Sequence, residues 1–343
     1  MGPAADQPDM VLNAAQRQQV IDAMITQLNK SYVFPERAKK VEAAIRRHQK
    51  NGDYDAITSA EQLSKTLTGH MLAQTRDKHL RMSYSAQPIP EQSTDKKPTA
   101  EEQQHMLAAM KSNNFGVARV ERLPFNIGYL NLFTFAPVKD AAQTLAAAMT
   151  VLAHTDALII DLRENDGGDQ ATVTLLASYL LDERTHMTNI YFREGDRTEQ
   201  MWTSDVVDGA RFGQKKDVYV LTSKDTFSAA EDFSYALKSH KRITLVGETT
   251  GGGAHPGDEV RLTPHFSMFV SNGRSLRPDT GSNWERVGVA PDVSVKADDA
   301  FKTAQIAILK KLAATEKNPG KLERINNRIA KVASENTTGA MAP

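Results

Sequence analysis

The apolar residues near the N-terminus recur at the spacing of a helix. Val20, Met24, Ile25 and Leu28 lie at positions i, i+4, i+5 and i+8, which form one buried stripe of an α-helix. Helical patterns of this kind continue to residue 85. The pattern predicts a small helical bundle over residues 1–85.

Further along the chain, short apolar runs alternate with helical patterns. We predict strands at 127–135, 157–161, 218–222 and 243–247, and helices at 138–153, 170–183 and 228–239. This alternation predicts an α/β core over residues 123–300 with a mostly parallel sheet, whose sites gather at the carboxyl ends of the strands. Residues 86–122 are rich in Pro, Gln, Lys and Ser, which predicts a linker with one helix from Ala100 to about Lys111. We predict a helical tail over residues 301–343.

Composition narrows the classes of function. The chain has 343 residues, which favours two domains, and 42 basic residues balance 42 acidic ones, which argues against a nucleic-acid partner. The absence of cysteine excludes disulfides, thiol nucleophiles and cysteine-ligated zinc. The longest apolar runs are strand-sized, so we predict no membrane span, and the first six residues lack the basic and apolar regions of a signal peptide.

The histidines and glycines carry none of the common metal or nucleotide motifs. The nine histidines include no H-x-x-x-H or H-E-x-x-H pair, and the glycine run at 251–253 fits neither a phosphate loop nor a dinucleotide fingerprint. We therefore predict no catalytic metal and no other cofactor.

Ser228 stands where an apolar strand turns into a helix. A hydroxyl at a helix N-terminus can act as a nucleophile, because unpaired N–H groups and the helix dipole favour the anion formed on attack at a carbonyl. Ser228 and Glu231 also fit the S-x-x-E capping box, which involves no chemistry. This segment alone leaves both interpretations open.

Two glycine-rich loops follow other predicted strands. Gly167 and Gly168 could place backbone N–H groups as an oxyanion hole, or could serve a tight loop in which Asp161 and Arg163 form a local ion pair. The run from Gly251 through Gly252 to Gly253 fits a substrate-facing loop and a plain turn equally well.

A serine nucleophile needs a general base. His79 and His255 are candidates by neighbourhood, and sequence spacing does not rank them. Glu285 could orient an imidazole, or could pair with Arg286 on the surface.

Four motifs in this order resemble those of the S41 serine peptidases. They are Asp-Leu-Arg-x-Asn-x-Gly-Gly at 161–168, Thr-x-Ser-Ala-Ala-Glu-x-Phe at 226–233, Gly-Glu-Thr-Thr-Gly-Gly-Gly at 247–253 and Val-Gly-Val-Ala-Pro-Asp at 287–292. Two further segments resemble those of one branch of the family, which contains interphotoreceptor retinoid-binding protein and its bacterial relatives. They are Tyr-Val-Phe-Pro-Glu at 32–36 and Asp-Lys-His-Leu at 77–80. The resemblance covers about residues 15–300.

The resemblance implies a catalytic arrangement. The C-terminal processing proteases of this family use a lysine in the glycine loop as the general base. In this chain Gly253 occupies the position of that lysine. The resemblance therefore implies the tricorn-like catalytic set of a serine, a histidine and a glutamate. By motif, Ser228 resembles the nucleophile, His79 the general base and Glu285 the residue that orients it. Gly167 or Gly168, together with the amide of Ala229, would form the oxyanion hole, and Lys78 stands where a serine commonly precedes the histidine.

The resemblance also implies a fold and a location. It implies a ClpP/crotonase-like ββα spiral after a helical bundle, with the site between the two, and the interval 85–123 is too short for a PDZ domain. Bacterial relatives of this branch are typically exported, so we expect a periplasmic or secreted protein.

The sequence fits three functions unequally well. We favour a serine peptidase acting on peptides or unfolded proteins. The alternative is a non-catalytic protein that binds an apolar ligand, a retinoid or a fatty acid, although pure binding would not require all three catalytic side chains. A crotonase-type CoA enzyme is the weakest hypothesis, because neither a distinct acidic pair nor a basic phosphate cluster is evident.

Overall fold

Nine helices and twelve strands are found in the part of the chain that the computed structural model describes, residues 7–91 and 99–335. The helices are α1 (Ala14–Ser31), α2 (Pro35–Lys50), α3 (Ala60–Thr75), α4 (Ala100–Ser112), α5 (Val138–Leu152), α6 (Gln170–Ser178), α7 (Ala229–Ser239), α8 (Ala297–Thr315) and α9 (Pro319–Ser334). The strands are β1 (Arg81–Tyr84), β2 (Val117–Leu123), β3 (Ile127–Leu132), β4 (Ala157–Asp161), β5 (His186–Phe192), β6 (Arg197–Trp202), β7 (Asp217–Thr222), β8 (Thr244–Gly247), β9 (Gly257–Thr263), β10 (Phe266–Ser271), β11 (Gly273–Leu276) and β12 (Val293–Ser294).

The predicted helical bundle is formed by α1, α2 and α3. Helix α1 buries Val20, Met24, Ile25 and Leu28, which is the stripe that the sequence predicts. Asn13 caps this helix with a reciprocal pair of hydrogen bonds to Gln16. The apolar faces of the three helices share one core, and their packing positions the loop that carries His79.

A six-stranded sheet forms the centre of the α/β core. Its strand order is β12-β8-β7-β4-β3-β2, and every neighbouring pair is parallel except β2 and β3. Helices α5, α6 and α7 follow β3, β4 and β7 along the chain, so the predicted alternation is confirmed. The carboxyl ends of β4 and β7 therefore lie side by side, each followed by a loop that leads to a helix.

The predicted linker at 86–122 contains a strand that the sequence analysis missed. Strand β2 begins at Val117 and pairs antiparallel with β3 at the edge of the sheet. Its exposed middle residues include Arg119, so the alternation of apolar and polar positions is weak there. The boundary of 123 for the core is therefore too late. Helix α4, from Ala100 to Ser112, agrees with the predicted helix.

A hairpin from the second half of the chain packs into the N-terminal bundle. Strands β9 and β10 join β1 in a three-stranded antiparallel sheet. The buried side chains of Phe266, Met268 and Val270 belong to the same apolar cluster as the three N-terminal helices. The predicted division at residue 85 therefore separates residues that share one core.

The C-terminal helices cover the other face of the central sheet. Helix α8 begins at Ala297, earlier than the predicted boundary at 301, and buries Ala300, Ala304 and Ile308 against strands β4, β7 and β8. Among the described residues, no helix is long and apolar enough to cross a membrane.

Candidate active site

Ser228 occupies a strained turn between β7 and α7. Its φ is +55° and its ψ is −119°, a combination that costs free energy for any residue with a side chain. Residues held in such conformations cluster at functional sites, and a strained strand-to-helix turn is how other hydrolases expose a nucleophilic serine. Ser228 is half-buried, so its hydroxyl borders the space in front of the helix N-terminus.

The glycine loop after β4 packs directly against this turn. A side chain at Gly167 would lie 2.7 Å from Ser228 Cβ and 3.0 Å from Ala229 N, and the φ of Gly167 is +108°. Gly167 N–H already donates to Asn165 Oδ1 at 2.9 Å. Within the described residues, neither Gly168 N–H nor Ala229 N–H has a backbone acceptor.

Glu231 fixes the second glycine loop to α7. Its buried carboxylate accepts hydrogen bonds from Ser228 N–H at 2.9 Å, Gly252 N–H at 2.6 Å, Gly253 N–H at 2.8 Å and the hydroxyl of Thr250. Burial raises the pKa of Glu231 to about 7, and these four donors oppose that rise. The bond to Ser228 is the glutamate half of the predicted capping box, so Glu231 caps α7 and also holds the second glycine loop.

The ring of His79 lies in a dry environment next to Phe227 in the Ser228 turn. Its ring packs against Phe227, the residue before Ser228, with the centroids 4.6 Å apart, and against Phe269. Neither ring nitrogen has a hydrogen-bond partner in the described part of the chain. Burial lowers the pKa of His79 to about 4, so the ring is neutral at physiological pH.

Asp77, His255 and Glu285 form a buried cluster next to His79. His255 Nδ1 lies 2.9 Å from Asp77 Oδ2 and 3.5 Å from Glu285 Oε2. Burial raises the pKa of Glu285, and the charge of Asp77 adds to that rise. Burial also favours neutral Asp77, but the hydrogen bonds from the His255 ring and from the backbone N–H of His79 hold its pKa below the ordinary value. These three side chains also come close enough together to share a cation.

The structure brings most of the predicted site residues together. The turn of Ser228, the loop of Gly167 and Gly168, the loop of Gly251 to Gly253 and the ring of His79 meet at the N-terminus of α7. Glu285 instead contacts His255, and its Oε2 accepts from Ala254 N–H at 2.8 Å. Its predicted contact with His79 is not formed in this structure.

Neighbouring residues have partners that the sequence did not indicate. Arg286 donates to Thr75 O at 2.7 Å, so the surface pair with Glu285 is not formed either. Lys78 donates from Nζ to Gly251 O at 2.5 Å. The local ion pair of Asp161 and Arg163 is present, with two hydrogen bonds, beside the glycine loop.

Comparisons with known proteins find family matches in two regions of the chain. Residues 126–295 match peptidase family S41, and residues 10–117 match the N-terminal domain of peptidase S41 in eukaryotic IRBP. The chain belongs to peptidase family S41. This S41 chain is 28% identical over 171 residues to carboxyl-terminal-processing peptidase 2, chloroplastic, of Arabidopsis thaliana, a match that covers 48% of the chain and 31% of that relative. The chain thus spans about a third of the length of such curated relatives.

Solved structures share the fold of this S41 chain. A putative peptidase from Parabacteroides merdae superposes with a TM-score of 0.57 at 19% identity, covering 85% of this chain and 96% of that one. The tricorn protease superposes with a TM-score of 0.52 at 13% identity, covering 92% of this chain and 37% of that one. Identities this low establish the fold alone, which is the predicted α/β core after a helical N-terminal region.

Proposed function

We propose that this S41 chain is a serine peptidase that hydrolyses peptide bonds through Ser228. The observation that carries the proposal is the meeting, at one strained turn, of the Ser228 side chain, two N–H groups without backbone acceptors and a neutral buried histidine. These are the parts that acyl transfer requires: a nucleophile, a base and donors for the developing oxyanion.

The reaction would run in two stages. A ring nitrogen of His79 takes the proton of Ser228 while Oγ attacks the peptide carbonyl, and the N–H groups of Gly168 and Ala229 stabilise the tetrahedral oxyanion. His79 then protonates the leaving amine, and water hydrolyses the acyl-enzyme by the same proton transfers in reverse order. Asp77 Oδ1 lies 4.0 Å from His79 Nδ1, where its charge would stabilise the imidazolium that forms transiently.

The substrate would be an extended peptide or an unfolded protein. The loop of Gly251 to Gly253 borders His79 and Phe227, so it is our candidate for the surface that receives the peptide backbone. Export to the periplasm or outside the cell stays a prediction from the resemblance.

The alternative is binding of a retinoid or fatty acid. A cleft of about 1390 Å³ between α1, α4 and β9 does not favour it, because charged side chains line this cleft, among them Lys30, Glu91, Arg193, Asp258 and Arg261. An apolar ligand there would desolvate these charges without pairing them.

Covalent labelling by a fluorophosphonate probe tests the proposal. We expect the wild type to be labelled at Ser228, Ser228→Ala to be inert, and His79→Ala to react at least about 100-fold more slowly, because general-base catalysis is removed. His154→Ala, an exposed histidine elsewhere, serves as the matched control and should react like the wild type. A folded wild type that does not react, or labelling that persists in Ser228→Ala, would contradict the proposal.

A further inference from the structure

His255 lies between two buried carboxylates from distant parts of the chain. Asp77 comes from the loop after α3 and Glu285 from the loop before β12. The side chains of Asp77, His255 and Glu285 are 0%, 3% and 8% exposed, so water does little to screen the repulsion between the two acids. A single Nδ1–H can serve only one short hydrogen bond, and the distances assign it to Asp77 at 2.9 Å, with Glu285 at 3.5 Å.

Asp77 uses its other oxygen to hold His79. Its Oδ1 accepts from the backbone N–H of His79 at 3.0 Å and lies 4.0 Å from the ring Nδ1. His255 is itself restrained by an edge-to-face contact with Phe34, 5.2 Å between ring centroids. The chain of contacts therefore runs from Glu285 through His255 and Asp77 to His79.

This arrangement separates the roles of the two histidines. The ring of His79 contacts Phe227, the residue before Ser228, whereas the ring of His255 contacts Phe34 and bonds Asp77 through Nδ1. Without the His255 donor, Asp77 would lose its side-chain partner and face Glu285 across a dry gap, which favours rotation of Asp77 and release of the His79 loop.

We propose that His255 is a positioning residue, which bridges Asp77 and Glu285 and thereby fixes the ring of His79 beside Ser228. The expected effect on the rate of catalysis rests on the proposed peptidase function. The expected effect on the position of the His79 ring does not.

Two variants of His255 test the proposal. Asparagine places an N–H donor close to the position of Nδ1, whereas alanine removes it. We expect His255→Ala to lower the rate of fluorophosphonate labelling by about 10- to 100-fold, because small misplacements of a catalytic group have effects of this size. His255→Asn should restore most of the rate. His265→Ala is the matched control, since His265 also bonds across the bundle, to Ser85 O at 2.9 Å, but lies outside the cluster.

A second readout does not depend on activity. Proton–nitrogen spectra of the histidine rings, assigned with His79→Ala, should show the His79 signals shifted in His255→Ala and returned in His255→Asn. If the wild type fails to label but the spectra behave in this way, the proposed function fails and the positioning role stands.

Three outcomes would overturn the inference. Labelling and His79 spectra unchanged in His255→Ala would show that the bridge does not position His79. An asparagine variant as slow as His79→Ala would make His255 itself a base. Loss of labelling in EDTA, restored by zinc, would replace the hydrogen-bonded bridge with a metal held by Asp77, His255 and Glu285. We expect EDTA to have no effect.

Discussion

Gly253 leaves room for the rings of Phe227 and His79. A side chain at this position would overlap the ring of Phe227 and lie 2.6 Å from His79 Cε1. The resemblance places the lysine of the processing proteases at this same position, so a lysine there and the His79 ring exclude one another sterically. If His79 is the base, as we propose, this packing constraint separates the two catalytic arrangements.

Replacing Gly253 with alanine should displace the base. We expect Gly253→Ala to slow labelling of Ser228 by about 10- to 100-fold, because the methyl group pushes either His79 or Phe227 aside. Gly69→Ala is the control: the new methyl has no atom within 4 Å and lies in a helix, where alanine is favoured. Equal labelling rates for Gly253→Ala and the wild type would show that the packing is not tight enough to matter.

The pH dependence of labelling should report the burial of His79. Since burial lowers its pKa to about 4, the base stays deprotonated in mildly acidic solution, and we expect the labelling rate to fall only as pH approaches 4. The unfolded imidazole titrates near 6.5, so the unfolded state binds more protons between these values and acidification across this window also weakens folding. Circular dichroism must therefore accompany each rate. A fall in rate centred near pH 6.5 in folded protein would contradict the account.

Single residues were predictable from sequence only where a motif surrounds them. Ser228, His79 and the glycine loops stand in recognisable segments, and the structure brings them together. The hydrogen bond between Asp77 and His255 joins residues 178 positions apart, so no local sequence pattern could predict it. Glu231 was identified as a cap, but its bonds to Gly252 and Gly253 depend on how two loops meet.

At the scale of elements, the spacing of apolar residues predicted the part of the fold in which buried strands alternate with helices. The predicted parallel strands and the helices between them are present, because each buried strand is a continuous apolar run. Strands β5, β6 and β9 were missed, since each carries exposed or partly exposed positions along much of its length. The hairpin of β9 and β10 is the most consequential omission, because it completes the N-terminal core.

A substitution in β10 should therefore destabilise the N-terminal bundle. Met268 is fully buried among side chains of the bundle, and we expect Met268→Ala to lower the free energy of unfolding by about 2–5 kcal/mol through lost burial and the cavity left behind. Urea unfolding followed by circular dichroism measures this. Exposed Met106→Ala is the control and should change stability by less than about 0.5 kcal/mol. A similarly small effect at Met268 would mean that the hairpin is dispensable to that core.

At the scale of the whole molecule, the site exists because the two predicted domains interlock. Strand β1 pairs with β10, Val33 N–H donates to Ser271 O at 2.8 Å, and Arg193 donates to the carbonyls of Asn29 and Tyr32. These contacts help to hold the loop of His79 against Phe227, the residue before Ser228. Sequence reasoning predicted a site between the two parts but not the shared core, because the returning hairpin is distant in sequence.

Cleavage of an unfolded protein tests the central claim most directly. Wild type, Ser228→Ala and the His154→Ala control would be incubated with a denatured, reduced protein, and new N-termini would be identified by mass spectrometry. The account predicts internal or terminal cleavage by the wild type and the control, and none by Ser228→Ala. Cleavage that survives in Ser228→Ala, or a wild type that is labelled at Ser228 yet cleaves no peptide bond, would contradict a Ser228 peptidase.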